Sequence, residues 1–143
     1  MKNTVISFLM ILMLAACVVP NEKRLDKIIN AQELRIQLNT YGGFAGYSEQ
    51  NYHLKKSDYE NLLIIDEGTD YQTFIRMDEE KKQLLKQFLE EAYKSNDPDK
   101  EMSNSCMTGI DTEYIVRSGL TKLRLVPNEK SDSLFWMMVD ERN

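Results

Sequence analysis

The chain has 143 residues, 29% of them charged, and a formal charge of −5, which suits one domain around one hydrophobic core. That acidic balance excludes nucleic acid as a partner and argues against electrostatic attachment to anionic lipid head groups. A single histidine, His53, and two cysteines, Cys17 and Cys106, exclude a metal centre built on nitrogen and sulfur ligands, and no cofactor is expected.

From Val5 to Val19 the chain is apolar except for Ser7, with Lys2 and the amino terminus as the only positive charges ahead of it. A helix over that stretch would reach about 22 Å, short of the roughly 30 Å hydrocarbon core, so a secretion signal fits better than a membrane span. Within it, Leu14-Ala15-Ala16-Cys17 resembles the lipobox of bacterial lipoproteins. The resemblance implies a signal peptide over residues 1–16, cleavage between Ala16 and Cys17, and acylation of Cys17 as the first residue of the mature protein. One acyl chain holds a protein marginally, and two or three hold it stably. The expected partner is therefore a membrane, reached through acylated Cys17. Since Val18 stands where aspartate favours inner-membrane retention, the expected location in a two-membrane source is the outer membrane, facing the periplasm. An ordinary secretory signal adjoining a buried cysteine is the alternative. Once Cys17 is acylated, Cys106 is the one remaining thiol and cannot form an internal disulfide; it is buried, reactive, or bridged to a partner.

Residues 17–32 read as a polar tether with one or two helical turns at Leu25, Ile28 and Ile29, and residues 33–143 as a single α+β domain. Leu34, Ile36 and Leu38 alternate with polar residues, the period of a half-buried strand. Tyr47 to Leu54, the doubly buried run Asn61-Leu62-Leu63-Ile64-Ile65, and the alternation Tyr71, Thr73, Ile75, Met77 predict three more strands in an antiparallel meander. Asp78 caps a helix whose apolar stripe is Leu84, Leu85, Phe88, Leu89, Ala92 and Tyr93, with Glu90 and Lys94 paired at i,i+4. A hairpin follows, with Thr112 to Arg117 and Leu120 to Val126 flanking a Ser118-Gly119 turn. The run Leu134 to Val139 is open between helix and strand. The expected fold is an antiparallel sheet of about six strands with one main amphipathic helix on one face.

Catalytic constellations are scarce. Cys106 and His53 carry no local signature of a thiol enzyme, and Asp66, Glu67 and Asp70 sit at a turn, where acids are common. Asp97, Asp99 and Glu101 imitate the start of a calcium loop. Met102 at the glycine position, Thr108 at the bidentate-acid position and Pro98 break the pattern. The segment Gly42-Gly43-Phe44-Ala45-Gly46 lacks the residues of a phosphate loop and reads as a glycine-dependent reversal. On it, Tyr41, Phe44 and Tyr47, with Gly42, Gly43 and Gly46, form a candidate partner-binding edge.

The stretch Arg35 to Leu54, RIQLNTYGGFAGYSEQNYHL, is similar to the opening of the emfourin family: a strand, a Gly-Gly-Phe-Ala-Gly segment and a second strand. The order continues with a helix, as at Met77 to Lys94, and a late hairpin opened by an aspartate and aromatics, as at Asp111 to Val116. Emfourins inhibit thermolysin-like metallopeptidases, so the resemblance implies a non-enzymatic protein binder with a metallopeptidase as partner. The chain departs from that family in its lipobox, in the strand-forming stretch Leu62 to Met77 and in Cys106. The competing expectation is a structural or accessory subunit of an envelope complex.

Overall fold

A computed structural model describes residues 21–44, 46–57, 59–103 and 109–140. Helix α1 (Asn21–Ile29) leads into strands β1 (Glu33–Gly42), β2 (Gly46–Lys56), β3 (Asn61–Ile65) and β4 (Thr73–Arg76). Helix α2 (Glu79–Lys94), strands β5 (Ile110–Ser118) and β6 (Thr121–Leu125), and helix α3 (Glu129–Val139) follow. The strands form one antiparallel sheet in the order β4-β3-β2-β1-β5-β6, so the meander is as expected and α2 carries the chain back to the far side of β1.

Alternation divides the sheet into two faces. Ile36 lies between Tyr52 of β2 and Val116 of β5, and Leu38 stands opposite Tyr114; all five are buried and point toward the helices. Phe88 of α2 and Phe135 of α3 complete the core, with Phe135 ring centroids 5.0 Å from Tyr52, 4.7 Å from Tyr114 and 5.2 Å from Phe88. Such tilted and edge-on pairs each add about 0.5–1.5 kcal/mol beyond simple burial.

The strongest helix of the sequence forms as expected. Asp78 accepts the Lys81 backbone N–H at 2.8 Å, and Phe88, Leu89 and Ala92 are fully buried. Glu90 pairs with Lys86 at 3.8 Å rather than with Lys94, through half-exposed side chains whose pairing contributes little. Leu134 to Val139 is helical. The Asn128 side chain accepts Ser131 N–H while Ser131 Oγ accepts Asn128 N–H, a reciprocal cap that starts α3 ahead of the apolar run. The sheet thus carries three helices where the sequence stressed one. Helix α1 docks Ile28 into the core with Leu25 and Ile29 packed beside it, so residues 21–29 lie against the globule.

Two turns differ from expectation in extent. Ser118 pairs with Thr121, which makes the hairpin loop Gly119-Leu120 rather than Ser118-Gly119; Gly119, with φ of 54°, takes the first central position, as a type II′ turn requires. The alternation from Tyr71 shortens to Thr73–Arg76, leaving Tyr71 exposed in the β3–β4 turn. No helix among the described residues is long and apolar enough to cross a membrane.

Candidate binding surface at the hairpin tip

Strands β1 and β2 run longer than their neighbours. The pairing of β2 with β3 stops at Tyr52, and that of β5 with β6 stops at Tyr114, so residues 38–42, 46–50 and 110–113 project as a three-stranded finger. Gly42 faces Gly46 across its end, and both have positive φ, 92° and 71°, as does Gly43 at 66°. A side chain is strained in that region of backbone space, which is why the reversal needs glycine. The reversal leaves Phe44 with no cover at all, at 110% relative exposure, and Ile110, opposite Gly42 in register, is exposed as well. Tyr41 and Tyr47, opposite one another in register, bring their rings to 5.3 Å at 51° just behind it.

A polar network on the sheet face away from the helices braces the finger. Glu113, only 6% exposed, accepts from Asn39 Nδ2 at 2.9 Å, from the Tyr41 hydroxyl at 2.6 Å and from Arg124 Nε at 2.6 Å. Asn39 Oδ1 in turn accepts from Gln37 Nε2 and from the Tyr47 hydroxyl. Burial pushes the Glu113 carboxyl up, but the three donors and the Arg124 charge outweigh it and hold the group below the usual range. Burial first, then the neighbouring Glu113, pushes the Tyr41 phenol up to about 12; desolvation and Glu49 raise Tyr47. Both phenols therefore stay neutral donors at physiological pH. Arg124 continues the network outward, donating to the Pro98 and Lys100 carbonyls, while Asn96 donates to the Arg124 carbonyl and accepts from Val126 N–H. The segment after α2 thus covers part of the β6 edge.

The structure gathers Tyr41, Gly42, Gly43, Phe44, Gly46 and Tyr47 at one place, as the sequence indicated. It adds Asn39, Glu113 and Arg124, which sequence reasoning missed because Asn39 on β1 is far along the chain from Glu113 and Arg124 on the β5–β6 hairpin. Ala16, Cys17 and Cys106 lie outside the described residues. His53 is buried between Glu33 at Nε2 and Glu67 at Nδ1, and Glu67 also binds Lys55. The Lys55 and His53 hydrogen bonds pull the Glu67 carboxyl down to about 2. Asp66 accepts Asn51 N–H at 3.0 Å and supports the turn. Among the described residues no cluster of three or more His, Cys, Asp or Glu side chains could hold a metal ion. No family model, curated protein or solved structure matches the chain.

Proposed function

We propose that the chain is a bacterial envelope lipoprotein, anchored through acylated Cys17, that acts without catalysis by presenting the β1–β2 tip to a protein partner, with a thermolysin-type metallopeptidase as the leading candidate. The observation that carries the binding reading is a wholly exposed Phe44 at the end of a finger stiffened by the buried Glu113 network. An exposed aromatic on a rigid support is the usual make-up of an interface anchor, since little order has to be imposed on binding. Chain lacking residues 1–16 should inhibit a thermolysin-type enzyme, and Phe44→Ala should weaken inhibition by about tenfold or more. Absence of inhibition across a panel of such enzymes would remove the inhibitor version. Intact-mass analysis of protein from its native host should reveal the acyl mass on Cys17, and an unmodified chain would refute the anchor.

The accessory-subunit reading draws support from a second apolar patch, the half-exposed Trp136 and Met137 side by side on α3. Crosslinking in intact cells from position 136 should then trap a stable envelope partner. Crosslinks from position 44 alone favour the first reading.

A further inference from the structure

We infer that the corner of the molecule formed by α1, the β5–β6 hairpin and the adjoining end of β1 docks on the surface of an anionic phospholipid bilayer. The inference deepens the lipoprotein reading in one respect, the short link to Cys17, and otherwise rests on the arrangement of cations and on one exposed leucine.

Arg35, Arg117 and Lys122 stand in register on adjacent strands β1, β5 and β6, on the sheet face away from the helices. Arg117 therefore has a cation on either side, at spacings of roughly 5 Å between Cβ atoms, and like charges directly opposite destabilise a sheet. Arg35 has Glu33 at 3.6 Å, whereas Arg117 and Lys122 take part in no ion pair with a described residue. A row of this kind is stabilised by an anion supplied from outside.

Helix α1 extends the patch around the sheet edge. Its 100° step per residue places Arg24 and Lys27 on one flank of the buried stripe of Leu25, Ile28 and Ile29, Glu22 and Asp26 on the other, and Lys23 on the outer face between Lys27 and Asp26. The cationic flank faces the hairpin: Arg24 and Lys27 line a shallow depression of about 370 Å³ together with Leu120, Thr121 and Lys122. Lys23, Arg24 and Lys27 likewise make no ion pair with a described residue.

Leu120 decides between a phosphate site and a bilayer. At 107% relative exposure it stands free at the type II′ turn, ringed by cations. A soluble phosphate has no use for it, whereas a membrane surface takes an apolar side chain below its head groups while the surrounding lysines and arginines meet the phosphates. Chain length agrees, because the four steps from Cys17 to Asn21 span at most about 14 Å and so hold α1 at head-group depth.

The overall charge of −5 argues against attachment of the chain as a whole, but this docking uses a local patch of cations. The seven steps from Arg35 to Gly42 cover about 23 Å of strand, so the acids at the finger tip lie beyond the roughly 8 Å screening length at physiological salt, while the nearer Glu33 and Glu67 are engaged with Arg35, His53 and Lys55.

The test uses residues 17–143 with Cys17→Ser, which retains every described element and carries no acyl chain. It should co-sediment with phosphatidylglycerol/phosphatidylcholine vesicles, less so as salt rises, and much less with phosphatidylcholine alone. Arg117→Gln and Lys122→Gln should each lower the partition coefficient about fivefold. Leu120→Ser should lower it without changing the salt dependence, and Phe44→Ala should leave it unchanged. All four side chains are exposed, and thermal melts verify folding. Equal binding to both vesicle types, unchanged partition of the Arg117 and Lys122 variants, or full displacement by inorganic phosphate at constant ionic strength would overturn the inference. Because the acyl chain is absent, failure here is separate from failure of the anchor, which mass analysis alone decides.

Discussion

Replacing Glu113 by glutamine tests whether the finger is held by charge. The substitution keeps the shape and leaves a carbonyl oxygen for Asn39 Nδ2 and the Tyr41 hydroxyl. It weakens these bonds and turns an amide N–H₂ toward Arg124 Nε, donor against donor. Hydrogen bonds to a charged group contribute about 1.5–3 kcal/mol and neutral ones about 0.5–1.5, so the charge is responsible for roughly 1 kcal/mol per bond. The Arg124 side chain is 30% exposed and has the Pro98 and Lys100 carbonyls as other partners, which moderates its loss. The expected cost is therefore about 2–3 kcal/mol, a fall of about 1–2 M in the urea midpoint followed by fluorescence of the single tryptophan, Trp136. The cost should also depend on pH. The folded carboxyl lies below its unfolded value, so its contribution is complete above the unfolded carboxyl's pKa and is lost as pH falls through the folded one. The wild-type protein and the variant should then converge in acid. Amide exchange should accelerate at Tyr41 and Tyr47 more than in β3 and β4. A cost below about 0.5 kcal/mol, or one that is constant from about pH 7 to about pH 3, would refute an electrostatic brace.

Phe135→Ala removes the ring packed against Tyr52, Phe88 and Tyr114 and should cost about 3–5 kcal/mol in urea unfolding. Asp78→Ala deletes the α2 cap and should cost about 1 kcal/mol, read as a lower melting temperature. Lys81 is 7% exposed and donates to the Met138 and Asp140 carbonyls at the end of α3. Lys81→Met should cost about 2 kcal/mol, with exchange increased selectively in the last turn of α3.

The strands were legible because each buries one face. Leu34, Ile36 and Leu38 alternate with residues that the structure directs to the other side, and this survives any uncertainty about neighbours. Helix α3 was not legible, since Leu134 to Val139 is apolar all round while only Phe135 and Met138 are fully buried. Trp136 and Met137 face outward and erase the period. Ser118-Gly119 and Gly119-Leu120 are both reasonable turns by composition, and the choice was made by the cross-strand register. At the tip, glycine spacing and the flanking aromatics were visible because they are local. The bond from Asn39 to Glu113 joins residues 74 positions apart, and periodicity does not reveal it.

The finger outruns the helical layer, and this dictates how it has to be stabilised. Around Ile36 the sheet gains from apolar burial beneath α2 and α3; beyond Leu38 the helix-side residues become Thr40 and Ser48, whose hydroxyls bond one another in the open. Little apolar area is available there, so order must come from the opposite face, where Asn39, Tyr41, Glu113 and Arg124 are mutually satisfied. Hydrogen bonds are directional where hydrophobic contact is not, and a network of this kind holds the strands in a single arrangement. That is the property an aromatic anchor needs, because Phe44 on a loose loop would forfeit affinity in being ordered. The same reasoning bears on α1. A domain on a long free spacer would turn its naked phenylalanine toward the bilayer as often as away from it. With α1 docked on the core and its cations beside Leu120, the proposed membrane contact lies at the opposite end of β1 from Phe44, so docking there would leave the aromatic tip pointing away from the bilayer, as the proposed protein contact requires.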